Sequence, residues 1–158
     1  MLSFVSCYRN TKEKAFLAQY EFEDFSNFCG TSMIVRGITE NKDICIYGHI
    51  SYLVNNTLKE TPYYLIVDKQ NYQIKKINFI KNKSSSINDS LILQQLVFTF
   101  MEYQVPRLEV DIDGNVFVYL KDVETLGMVK FANKDELLKR SKEMKWVRIT
   151  ENWYKPKY

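Results

Sequence analysis

Arg107-Leu108-Glu109-Val110-Asp111-Ile112-Asp113-Gly114-Asn115-Val116-Phe117-Val118-Tyr119-Leu120 is the stretch that decides the fold. Two runs of alternating character flank Asp113-Gly114, with Leu108, Val110 and Ile112 on one face. A period of two marks a half-buried strand, and Asp-Gly between two such runs is the strongest short-range hairpin signal. The same residues invite a calcium reading, because Asp111, Asp113 and Asn115 take positions 1, 3 and 5 of an EF-hand-like loop. The loop needs Gly at position 6 and a bidentate Glu at position 12, and Val116 and Asp122 stand there instead. The flanks also alternate like strands, so the hairpin reading prevails.

Working outward, residues 126–131 continue the meander. Asn133 or Lys134 then precedes a short helix over 135–144, and 146–149 with 153–154 read as one short edge strand. Upstream, the spacing predicts the main helix, about 89–104, capped by Asn88 or Asp89 and ended by Pro106. Ile92, Leu96, Phe100 and Tyr103 line one face of it, with Leu93 and Val97 beside them. Residues 63–67 and 72–80 form a hairpin, with Ile74 on one face and Ile77 and Phe79 on the other. A loop opens at Asn55. Residues 44–54 are apolar on both faces, as in a central strand, and 32–38 form a shorter one. The alternation Tyr20-Glu21-Phe22-Glu23 predicts a strand over 15–22, followed by a turn or short helix to Gly30. The fold class is therefore α+β: an antiparallel, meander-like sheet of six to eight strands, one main helix packed on a face and a short C-terminal helix.

Composition bounds the function. The 158 residues suit one domain that buries about two thirds of its unfolded surface. Five Gly and three Pro leave no room for a Gly-rich phosphate loop or a proline-rich linker. No apolar run reaches the roughly 20 residues of a membrane-spanning helix. A net charge of +3 is too mild for a dedicated nucleic-acid binder. No motif calls for a cofactor or a metal, and none sets out a catalytic triad. His49, the one histidine, lies about 13 Å along a strand from Cys45, too far for a nucleophile–base pair. The acids Glu21, Glu23 and Asp24, and Glu109, Asp111 and Asp113, read as solvated faces, so the expectation is a protein that is not an enzyme.

The chain begins Met1-Leu2-Ser3-Phe4-Val5-Ser6-Cys7. Phe4-Val5-Ser6-Cys7 resembles the cleavage box of small bacterial lipoproteins, with Phe4 where Leu is usual and without the basic n-region and apolar h-region of an export signal. The resemblance implies that 1–7 is the remnant of a signal peptide, that 8–158 is a single α+β domain, and that Cys7 is the lipid site at the cell envelope. That anchor is the expected link to a membrane. Without it the protein is cytoplasmic. With Cys7 lipidated, Cys29 and Cys45 make an even pair that an oxidising compartment would bridge.

The C-terminal stretch interleaves cations with aromatics. Lys145, Trp146, Arg148, Trp153, Tyr154 and Lys155 form the candidate binding surface. The expected function is non-catalytic: a small interaction protein with a protein partner, lipid-anchored at the envelope. One alternative is an immunity or inhibitor protein that blocks a toxin or enzyme. The other is a cytosolic protein whose basic, aromatic C-terminus binds single-stranded nucleic acid through phosphate contacts and stacking.

Overall fold

The computed structural model describes residues 11–80 and 87–158. Nine strands form one antiparallel sheet: β1 (Thr31–Ile38), β2 (Ile44–Val54), β3 (Thr57–Val67), β4 (Ile74–Phe79), β5 (Arg107–Val110), β6 (Val116–Tyr119), β7 (Met128–Lys130), β8 (Trp146–Arg148) and β9 (Trp153–Pro156). Their spatial order is β4-β3-β2-β1-β5-β6-β7-β9-β8. Among the described residues three α-helices accompany it, α1 (Thr11–Tyr20), α2 (Ile87–Glu102) and α3 (Lys134–Arg140), with a short 3-10 turn at Ser26–Phe28. Two meanders thus share a sheet, joined where β5, arriving after α2, pairs with β1. The α+β class and the antiparallel sheet follow the sequence pattern, and β5–β6 is the hairpin that Asp113-Gly114 announces.

Alternation explains the core. Met33 of β1, Ile46 of β2, Leu65 of β3, Leu108 of β5 and Val118 of β6 point to one face and are almost wholly buried. Leu93, Val97 and Phe100 of α2 and Phe16 of α1 close over them. At about 1.5–3 kcal/mol per buried side chain, this layer supplies most of the driving force. Tyr63 and Gly48 are directly opposed in the β2–β3 ladder. The phenol crosses over Gly48 to donate to the Ser32 carbonyl at 3.0 Å.

Six expectations need correction. Residues 11–20 are a helix, not the strand expected over 15–22: Phe16 and Tyr20 fall one turn apart and meet at 5.0 Å. The alternation that misled ends in Phe22, which is 80% exposed. The sheet has nine strands rather than six to eight, partly because Thr150–Asn152 folds the C-terminus into a β8–β9 hairpin instead of one edge strand. Asn55-Asn56 is a tight turn, both residues at positive φ, so β3 starts at Thr57 rather than just after Pro62. A bulge in the β3–β4 ladder returns Ile74 to the core-facing side with Ile77 and Phe79. On α2, Ile92 is exposed while Leu93 is buried.

Burial also predicts a pH response. Desolvation raises the Tyr63 phenol far above its ordinary value, and burial raises Tyr103 with the neighbouring Glu23 adding to it. A raised folded-state value favours the protonated form, so this stability is intact below the unfolded tyrosine value of about 10 and drains away as pH climbs above it. The urea midpoint should fall between about pH 8 and pH 11, and fall less in Tyr103→Phe. A midpoint that holds steady across that interval contradicts the burial of these phenols.

Candidate functional site: the helix-free face of the sheet

α1 and α2 occupy one face of the sheet, and the register of the strands composes the other. Reading across from β4, one row runs Asn78, Tyr64, Tyr47, Ile34, Arg107, Tyr119. The next runs Pro62, His49, Ser32, Glu109, Phe117, Val129, Tyr154, Arg148. Directly opposed residues project to the same side, so these rows are adjacent bands on one surface. Among the described helices only α3 reaches that face, through Arg140, whose guanidinium lies 5.5 Å from the Phe117 ring.

Arg107 anchors the face. Its guanidinium stacks 4.3 Å from the Tyr119 ring centroid, Nη2 donates to Glu109 Oε2 at 2.6 Å and Nη1 to the Val123 carbonyl at 3.2 Å. The Tyr119 phenol is raised by burial first, with Arg107 opposing and Glu109 reinforcing. Arg36 sits 5.9 Å from the Tyr47 ring, and the Tyr64 phenol is raised chiefly by its hydrogen bond with Cys45. The result is a band of half-buried tyrosines around Arg107, with Ile34 buried between Tyr47 and Arg107 and Arg36 exposed beside Tyr47.

Four of the six acids that sequence brought forward, Glu23, Asp24, Glu109 and Asp111, are engaged in structure. Glu109 holds Arg107. Asp111 accepts from the Asp113 and Asn115 backbone amides and from Arg140 at 3.1 Å, building the hairpin turn. Glu23 accepts from the Tyr103 hydroxyl at 3.3 Å, and Asp24 from the Ser26 amide. Among the described residues no three His, Cys, Asp or Glu gather as a metal would require. His49 is half-buried, 3.9 Å from Glu60.

The C-terminal binding surface is divided by the pleat. Trp146, Arg148 and Tyr154 lie on the helix-free face, and Lys145, Trp153 and Lys155 on the other. Trp146 and Tyr154 pack edge-on against Phe131 at 5.2 and 5.4 Å. Arg148 folds back onto the Thr150 and Glu151 carbonyls. Lys155 comes within 4.0 Å of Glu13, and Lys145 is exposed. Trp153 does not belong to any surface: it is wholly buried against Phe16 and Phe25, with Nε1 donating to the Glu21 carbonyl at 3.1 Å.

The expected Cys29–Cys45 bridge is absent, and both are free thiols. Cys29 Sγ lies 3.5 Å from the Asp111 carbonyl, next to Gly30, whose carbonyl accepts from Ser51. Cys45 sits six residues down β2 from Ser51, roughly 20 Å away at 3.3 Å per residue, whereas a disulfide needs Cα atoms within about 7 Å. Cys7 lies outside the described residues. Sequence reasoning missed the Tyr64–Tyr47–Arg107–Tyr119 band, whose signal was the shared parity of these residues along four strands.

No family model, no curated protein and no solved structure matches this chain. Among the described residues no helix is long and apolar enough to cross a membrane.

Proposed function

We propose that this chain is a non-catalytic interaction protein that receives a partner protein on the helix-free face of its sheet. The observation that carries the reading is the row of Tyr64, Tyr47, Arg107 and Tyr119 across β3, β2, β5 and β6, with the buried Ile34 of β1 between Tyr47 and Arg107. Tyrosine and arginine are the residue types enriched at interface centres, where large, nearly rigid side chains lose little entropy on binding. Here Arg107 is held in place in advance by Glu109, the Val123 carbonyl and its stack on the Tyr119 ring. A band spanning several strands fits a protein surface better than a small molecule.

The test uses the partner that co-purifies with the chain expressed from its native gene. Tyr47→Ala/Tyr64→Ala should keep its thermal midpoint within a few degrees and bind that partner about 100-fold more weakly. Unchanged affinity in a folded double variant overturns the reading. A partner that is itself an enzyme, silenced at equal stoichiometry, would specify an inhibitor or immunity role.

We further propose a lipid anchor at the cell envelope through Cys7, on the support of the Phe4-Val5-Ser6-Cys7 box. A membrane-associated product starting at Cys7 with diacylglycerol mass is the expected outcome, and a soluble product retaining Met1 removes it. The nucleic-acid alternative has lost Trp153 as a stacking group, so its proper probe is Tyr154→Ala, with salt-dependent oligonucleotide binding as the readout.

A further inference from the structure

The two edges of the sheet are finished differently. At the β4 edge the Gln94 side chain does what a neighbouring strand would do. Its Oε1 accepts from the Ile74 amide at 2.8 Å and its Nε2 donates to the Tyr72 carbonyl at 2.9 Å. The bulge opposite Val67 and the lysine pair Lys75-Lys76 add further protection against edge pairing.

The β8 edge has no such plug among the described residues. Lys157 donates to the Lys145 carbonyl and Ile149 to the Trp153 carbonyl, with Val147 opposite Lys155 between them. Bonding positions alternate in an antiparallel ladder, so Lys145, Val147 and Ile149 turn their backbone groups toward β9. Trp146 and Arg148 therefore turn theirs outward, and no described residue pairs with them.

The two sides of this open edge differ in chemistry. On the helix-free side lies a groove of about 570 Å³ between α3 and the β8–β9 hairpin, walled by Phe131, Leu137 and Tyr154 and also lined by Lys134, Arg148 and Glu151. On the other side the pleat gathers Lys145, Lys155 and Lys157 around Val147, with Glu13 4.0 Å from Lys155 as the one acid paired there among the described residues. A strand laid along β8 would send alternate side chains to these two sides.

Building on the partner-binding reading above, we infer that the β8 edge takes an extended segment of the partner as a tenth strand, one that alternates apolar with acidic residues. Its backbone meets the outward amide and carbonyl groups of Trp146 and Arg148. Its apolar side chains enter the groove, and its carboxylates meet the three lysines. Backbone pairing supplies affinity and the two-sided pattern supplies specificity, as in other cases of strand addition.

The probe is a blocked peptide of alternating leucine and glutamate, titrated into the full chain. Binding should slow hydrogen exchange at the Trp146 and Arg148 amides and leave the Val147 amide, already paired, unchanged. N-methylating alternate amides of the peptide should weaken binding about tenfold or more, as should replacing its glutamates with lysines. Arg148→Pro removes an outward N–H that the β9 ladder does not use, so it should stay folded and lose about the same factor, while Arg148→Ala keeps most of the affinity. Absence of binding, or binding indifferent to N-methylation, overturns the strand-addition inference. If the Tyr47/Tyr64 variant still loses its native partner in that case, the partner-binding reading stands without it.

Discussion

Trp153→Ala is expected to cost about 3–5 kcal/mol, enough to leave much of the chain unfolded at 37 °C. The indole has no exposed surface and meets Phe16 of α1 and Phe25 edge-on at 5.8 and 6.0 Å. Its Nε1 satisfies the Glu21 carbonyl. Truncation opens a cavity where the first helix, the segment after it and the last strand converge. It also leaves a carbonyl unpaired, so transfer, cavity and hydrogen-bond losses all act together. Differential scanning calorimetry against wild type checks this, and a midpoint lowered by less than about 3 °C contradicts the placement of Trp153. The same result bears on function: any binding lost in Trp153→Ala reports unfolding rather than a lost contact.

Gly48→Ala should be nearly as damaging, although it adds only a methyl group. A Cβ at this position falls on the Ser32 carbonyl oxygen and within 2.5 and 2.6 Å of the Tyr63 hydroxyl and its ring carbon. Neither neighbour can yield: one is backbone of the adjacent strand, and the other is a fully buried ring bonded to that same carbonyl. Relief requires β1 and β2 to separate or the Tyr63 hydroxyl to lose its acceptor inside the core. Overpacking plus a buried unsatisfied hydroxyl comes to about 3 kcal/mol or more. Urea unfolding gives the number, and a variant within about 1 kcal/mol of wild type would show that Tyr63 does not cross over Gly48.

Local chemistry made much of the sheet legible. Asp113-Gly114 and the alternation around it specify the β5–β6 hairpin from neighbouring residues alone. The 44–54 run matches β2 because apolar residues on both faces require neighbours on both sides. What local patterns could not supply was pairing. The bulge that returns Ile74 to the core depends on the partner strand, and the helix at 11–20 depends on Phe16 finding Trp153 more than 130 residues away. The candidate site was hidden for the same reason. Tyr47, Tyr64, Arg107 and Tyr119 are scattered over 73 positions of sequence, and only the register of five strands, with Ile34 of β1 in the middle, brings them into one row. The C-terminal cluster failed in the opposite way. Its residues are neighbours in sequence, but a period of two sends Trp153 into the core and Tyr154 to the opposite face.

The most direct test of the helix-free face as the working surface is photo-crosslinking in the native cell. A photoreactive residue replaces Tyr64 in one strain and Gln95, an exposed position of α2, in another. A discrete crosslinked partner from position 64 and none from position 95 is the predicted result. The same partner captured from position 95 but not from position 64 would place the interface on the helices and contradict the account.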